Sequence, residues 1–273
     1  MKQYHDLLRD VLKNGNRRKD RTGVGTLAVF GRQLRFKMAK GFPAITTKKL
    51  YFNGVKGELL WMIKGSSRLE DLHQNGVYFW DANANADYWK PKARFEGDLG
   101  RVYGVQWRSW QRPDGSTIDQ LLEVIERIKI NPTDRRLIVT AWNPGELDQM
   151  CLPPCHILFQ YFVADGKLSL MMYQRSADLF LGVPFDIASY AILLHLSAQV
   201  TGLVPDELIM NYADTHIYLN HIDQVKEQLS RKAYRLPKLW LNPEVKDIDK
   251  FTMDDIKLIG YKSHPAIKAE MAV

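Results

Sequence analysis

Residues 153–190 read PPCHILFQYFVADGKLSLMMYQRSADLFLGVPFDIASY. Asp165-Gly166 splits the stretch into two apolar runs, 157–164 and 167–173. An Asp-Gly pair suits a tight turn whose central residues take positive φ, so the runs are predicted to form an antiparallel hairpin. Cys155 and Arg175 stand nearly symmetric about that turn and are predicted to meet across it. A neighbouring cation favours the thiolate, the nucleophilic form of cysteine. His156 is adjacent to Cys155, but successive strand residues point to opposite faces, which makes it a poor direct base for the thiol. Ser176, Asp178 and Asp186 follow. A thiol, an arginine, small polar groups and a carboxylate on one ribbon suit covalent chemistry on an anionic ring compound.

Working outward, residues 187–201 are almost wholly apolar and predict a central helix. Residues 4–12 place Tyr4, Leu7, Leu8, Val11 and Leu12 on one helical face, with Asn14-Gly15 as the stop. Residues 55–64, 118–130 and 215–229 also read as helices, and 137–142 as a short strand. Residues 81–97 are polar and read as an irregular surface loop after Trp80. No linker or repeat divides the chain, so 1–273 is read as a single domain. Helices mixed with strands, without regular βαβ alternation, predict an α+β fold.

The 273 residues are enough to bury one large core. No apolar run reaches the roughly 20 residues a membrane span needs. The first ten residues, MKQYHDLLRD, lack a signal peptide's apolar core, and a cytoplasmic location is expected. Cys151 and Cys155 are the only cysteines; they make no disulfide framework and have no zinc-ligand spacing around them, so no metal is expected. Cys151 reads as a small buried hydrophobe. The net charge of +7 suits phosphate or carboxylate ligands. Basic residues are scattered without a helical stripe, which argues against a dedicated nucleic-acid partner. Arg21, Arg135, Arg136 and Arg175 each sit beside turn residues (DRTG, TDRR, YQRS), where guanidinium forks suit phosphate and Ser176 adds a hydroxyl. Surface ion pairs are the commoner fate of any one of them. Glu58 lies in an otherwise apolar helix; a buried carboxylate is costly unless paired or protonated, so it is a candidate for proton chemistry or a satisfied structural acid.

With these residues in view the chain resembles thymidylate synthase along its whole length. The stretches that carry the resemblance are DRTGVGT (20–26), FPAITTKKL (42–50), ELLW (58–61), GDLGRVYGVQWR (97–108), DRRLIV (134–139), LPPCH (152–156), YQRSADLFLGVPFDIASY (173–190) and DTHIYLNH (214–221). The resemblance implies a large mixed sheet packed by helices, stacked back to back in a homodimer. It implies one-carbon transfer from 5,10-methylenetetrahydrofolate to C5 of a pyrimidine nucleoside monophosphate. Cys155 would add to C6, and Arg21, Arg175 and Ser176 would hold the 5′-phosphate. Arg135 and Arg136 would reach it from the partner subunit. Gln174 and Asp186 would meet the nucleotide, and His216 and Tyr218 the ribose hydroxyl. Glu58 and Tyr103 would handle protons through ordered water, and His156 would arrange water at the base edge. Trp80, Asn83, Asp178, Gly182 and Val273 would meet the folate.

The departures matter as much. Members that methylate deoxyuridylate carry Asn where this chain has Asp186. Asn donates to uracil O4 and accepts from N3–H, whereas an ionised Asp only accepts. Facing O4, it leaves that acceptor without a donor, at about 1–3 kcal/mol. Cytosine presents an amine there and can share a proton at N3, so Asp186 favours a cytosine nucleotide, as in the family's deoxycytidylate-acting branch. Trp80, Leu152 and the tail ending at Val273 match the water-excluding wall of methylating members and favour a methyl product. Hydroxymethyl transfer to the same base, ordinary deoxyuridylate methylation and a non-catalytic nucleotide- or RNA-binding scaffold are the alternatives; a ribonucleotide substrate also stays open. Arg101, Gly57 and Ala213 replace a usual Pro, His and Gly, without a firm functional account at this level.

Overall fold

The computed structural model describes residues 1–20 and 22–271, so Arg21 and Val273, expected at the phosphate and the folate, lie outside the described residues. The principal sheet has six strands: β1 (Asn16–Arg18), β2 (Thr26–Lys37), β3 (Ile138–Thr140), β4 (His156–Ala164), β5 (Lys167–Asp178) and β6 (Val204–Tyr218). Their spatial order is β1-β2-β6-β5-β4-β3. Only the β5–β6 pair is parallel; the others are antiparallel. The longer helices are α1 (Lys2–Asn14), α2 (Phe52–Lys64), α3 (Gln120–Ile130), α4 (Gly182–Thr201) and α5 (Ile222–Ser230). Mixed pairing with helices packed on the sheet is the predicted α+β class.

The β4–β5 hairpin forms as read from the sequence. Ala164 pairs with Lys167, and Asp165 and Gly166 have φ of 50° and 69°, both positive as a two-residue turn of this kind demands. β5 runs on to Asp178, which carries Gln174, Arg175 and Ser176 into the strand. A parallel neighbour needs a crossover, and α4 supplies it between β5 and β6. This helix starts at Gly182, earlier than the apolar run suggests, and is buried along most of its length. Among the described residues it is the only helix long and apolar enough to cross a membrane, and 78% of its apolar window is buried inside the molecule. Its apolarity is that of a core helix.

The reading of 215–229 as one helix is wrong. Thr215–Tyr218 end β6, Leu219–His221 form a single 3₁₀ turn, and the α-helix begins only at Ile222. Buried Leu208, Met210 and Tyr212 alternate along β6, which pairs with β2 on one side and β5 on the other. Two ladders of hydrogen bonds outweigh a helical spacing that Ile217 and Ile222 mimic. The helix read at 118–130 also starts later: Thr117–Ile118 pairs with Trp110–Gln111, and Asp119 caps α3 by accepting from Leu122 N–H. The opposite face of the sheet leaves large apolar side chains in the open, with Phe162, Met171 and Tyr173 all exposed.

Candidate active site

Cys155 stands immediately before β4, half-buried. The predicted meeting with Arg175 occurs in the backbone: Arg175 N–H donates to Cys155 C=O at 2.8 Å. The Arg175 guanidinium turns instead to the turn that presents the thiol, donating from Nε to Pro154 C=O at 2.8 Å and from Nη2 to Pro153 C=O at 2.9 Å. It also lies over the Trp142 ring, 5.4 Å from the centroid. Arg175 therefore braces the loop as well as adding positive potential.

Tyr103 is the hub on the other side. Its hydroxyl accepts from Cys155 N–H at 2.8 Å. It reaches there through φ of 29°, a left-handed value that costs a tyrosine about 1–3 kcal/mol. Strain of this kind persists only when the surroundings impose it. Here they do: the Tyr103 ring packs on His156 at 4.5 Å and edge-on to Trp80 at 6.0 Å. Burial, then the nearby Cys155, push its phenol well above the ordinary value, so it stays protonated.

Arg101 anchors the same turn. Its Nε donates to Glu146 at 2.6 Å, Nη2 donates to Ser109 C=O at 2.7 Å, and both side chains are buried. Gln106 Nε2 donates to the same Glu146 oxygen at 2.7 Å and to Arg101 C=O at 2.9 Å. The departure from Pro thus ties the Tyr103 turn to the segment that leads into Cys155. Nothing in the structure explains Ala213.

Glu58 on α2 and Asp186 on α4 bring two acids to this cluster. Trp80 Nε1 donates to Glu58 at 2.6 Å, and burial pushes that carboxyl up to about 7. Gln174 Nε2 donates to Asp186 Oδ2 at 2.8 Å. Burial, against that hydrogen bond, pushes Asp186 up to about 8. The ionised form assumed from sequence is therefore the minor one at pH 7: the native Asp186 is chiefly a neutral acid with one donor and acceptor capacity besides. The other amide atom, Gln174 Oε1, is buried and has no hydrogen-bond partner among the described residues. His156 Nε2 is 3.6 Å from Asp186 Oδ1, and its Nδ1 meets Tyr190 Oη at 3.0 Å. Burial lowers His156 to about 3, which leaves a neutral imidazole to arrange hydrogen bonds.

Asp178 closes β5 beside these groups. Its Oδ1 accepts from Phe180 N–H at 2.9 Å and Leu181 N–H at 3.3 Å, which leaves Oδ2 as a free acceptor among the described residues. Gly182 lies between the two acids: a Cβ built there is 3.8 Å from Asp178 Cβ and 3.8 Å from Asp186 Oδ2. Asn83 sits half-buried in the short helix Asp81–Ala84, next to Trp80. His216 pairs with Asp178 across the β5–β6 ladder, and its Nδ1 meets Asp214 at 2.9 Å; Tyr218 packs edge-on to its ring at 5.2 Å. Ser176 lies opposite Asp214 on the same ladder. Arg135 and Arg136 are exposed before β3, and Arg136 is held by Asp134 at 3.0 Å. Among the described residues, no contact joins either of them to the Cys155 cluster.

Three contributors escape a sequence reading. Tyr190 sets the His156 ring, Trp142 receives Arg175, and Lys48 is buried over the Phe180 ring at 3.7 Å. Burial lowers Lys48 to about 8, against the opposing pull of Asp178. Lys48 stands in the FPAITTKKL stretch, so its neighbourhood, though not its role, is visible in the sequence.

A half-buried thiol, two buried acids with raised pKa values and a neutral histidine lie close together, a grouping suited to covalent, proton-managing chemistry. Residues 2–273 match the family model described as thymidylate synthase, and the chain belongs to that family. It is a folate-dependent one-carbon transferase acting at C5 of a pyrimidine nucleotide, with methylenetetrahydrofolate as the family's co-substrate.

Proposed function

We propose that the enzyme methylates C5 of a cytosine nucleotide, deoxycytidylate, and that neutral Asp186 selects the base. The observation that carries this is the buried Asp186 carboxyl held by Gln174. A neutral acid donates through O–H and accepts through C=O. Both bases can answer, uracil with O4 and N3–H as it does to Asn, and cytosine with N3 as acceptor and the amine as donor, so the choice falls to acceptor strength. Uracil O4 is a far weaker base than cytosine N3 and makes the poorer acceptor for that O–H.

The remaining roles follow from the groups around the base. The Cys155 thiolate adds to C6 and makes C5 nucleophilic. The reduced folate supplies the one-carbon unit and, for a methyl product, the hydride. Glu58, half ionised near pH 7, takes and returns protons with Tyr103 and water, while His156 orders water at the base edge. Arg175 with Ser176 and Arg21, joined by the partner's Arg135 and Arg136, binds the phosphate. His216 and Tyr218 bind the ribose. The free Asp178 oxygen suits an N–H-rich pterin, alongside Trp80, Asn83, Gly182 and the tail at Val273. The exposed Phe162, Met171 and Tyr173 face supports a back-to-back homodimer, which would also bring the exposed Arg135 and Arg136 to the neighbouring site.

Incubation with methylenetetrahydrofolate and either deoxycytidylate or deoxyuridylate, followed by mass spectrometry, tests the reading. The expected product is methylated deoxycytidylate with dihydrofolate released. Preference for deoxyuridylate overturns the base assignment, and a product carrying hydroxymethyl overturns the methyl assignment.

A further inference from the structure

We propose that Gly57 is a positioning residue: its missing side chain lets the segment 75–80 press onto α2, seats the Trp80 indole on the Glu58 carboxylate, and so keeps water from the reacting carbon. The proposal rests on the methyl-forming chemistry proposed above but not on the choice of base, and the wild type's own product tells the failure of that reading apart from the failure of this one.

Gly57 has helical backbone, so no conformational demand calls for glycine there, and glycine weakens a helix interior relative to alanine. The reason lies in packing. A Cβ at position 57 would stand 2.9 Å from Val77 Cγ2, 3.0 Å from Asn75 Cβ and 3.2 Å from Asn75 C=O. A side chain larger than glycine's has no room against Asn75 and Val77 as they sit here. The segment it would displace is stiff. Asn75 and Val77 N–H both donate to Leu72 C=O, Gly76 N–H donates to His73 C=O, and Tyr51 Oη donates to Gly76 C=O at 2.8 Å. Val77 is fully buried. A shift at Val77 is therefore passed on to Trp80, three residues along. Trp80 is the residue that touches chemistry: its Nε1 donates to Glu58 at 2.6 Å, and its ring packs against Trp61 at 5.8 Å and Tyr103 at 6.0 Å. Glycine at 57 thus gives up helix stability and gains a close approach whose end point is the proton-handling acid.

The test uses the full chain and whichever nucleotide the wild type turns over, so a wrong base assignment leaves it intact. Gly57→Ala should lower kcat about tenfold, with the nucleotide KM changed less than about threefold, as expected when a hydrogen bond to an ionisable group is lost. The share of hydroxymethyl product should rise. In a Trp80→Phe background the same change should add less than about twofold, because the route through Trp80 is already gone. Alanine favours helix, so the melting temperature should stay within a few degrees. Val77→Ile, which crowds the contact from the other side without changing the sequence of α2, should reproduce the loss and the product shift. Unchanged kcat and product ratio in both variants overturns the proposal. So does an equal loss from Gly57→Ala with and without Trp80, which would make Gly57 a packing residue only.

Discussion

Asp186→Asn is expected to stabilise the protein while moving its base preference towards uracil. In the native state burial moves the Asp186 carboxyl from 3.8 to about 8, while in the unfolded chain it returns to its ordinary value. Between those values the native protein holds a proton the unfolded chain lacks. Wild-type stability therefore falls as pH rises above about 4 and stops falling above about 8. Each pH unit in that window is worth about 1.4 kcal/mol, so at pH 7 the penalty is about 4 kcal/mol. Asn has no proton to lose and keeps an oxygen for Gln174 Nε2, so the variant escapes most of this penalty. Urea unfolding of both proteins at one protomer concentration, from about pH 5 to about pH 9, should show a gap that widens with pH and then levels. Turnover of the two nucleotides in the same preparations should swing towards deoxyuridylate, since the amide donates to O4 and accepts from N3–H. A stability gap independent of pH would mean that Asp186 is ionised in the native state, and the neutral-acid account of base choice would fail with it.

Three further outcomes are expected. Cys155→Ala should abolish turnover yet leave nucleotide affinity by calorimetry within about threefold, because the thiol reacts with the base rather than holding it. Glu58 sits at about 7, so if its ionised form takes the proton, kcat should rise through neutral pH. Glu58→Gln should remove that bend and lower kcat by about a hundredfold or more. Arg101→Met leaves the buried Glu146 short of its cation and should cost about 3–5 kcal/mol in thermal unfolding, much of it recovered in the double variant with Glu146→Gln.

The hairpin, the central helix and the thiol opposite Arg175 were legible because each rests on local chemistry: an Asp-Gly turn, an apolar run, a symmetric spacing. β6 was not, since its identity comes from two neighbours far away in the chain, and the 215–229 run imitates helical spacing. The Asp186 residue was legible, but its protonation state was not; that depends on burial contributed by α4, β5 and the aromatic side chains around it. Tyr103 was recognisable only by resemblance. Its positive φ and its bond to Cys155 N–H arise from the packing of Trp80 and His156. Arg101 looked like an unexplained departure because Glu146 lies forty-five positions on, and no pattern joins them.

The charge layout of the site follows from these burials. Asp186, Glu58 and His156 are all buried, and His156, lowered by burial to about 3, cannot neutralise the acids near pH 7. Two ionised carboxylates there would repel, and the nearby Glu58 does help to raise Asp186. Burial sets most of both shifts, and a charge on Glu58 adds to the cost of a second one on Asp186. Glu58, with an indole N–H pointed at it, is the better place for that first charge. Burial, helped by the ionised Glu58, keeps the Asp186 proton in place to about pH 8. The division gives one acid the role of moving protons and the other that of donating to the base, set by environment rather than by residue type. It also makes the two roles interdependent. A change that strips Glu58 of the Trp80 hydrogen bond raises Glu58 and lets Asp186 ionise earlier, so base selection and proton transfer should weaken together when the contact at Gly57 is disturbed.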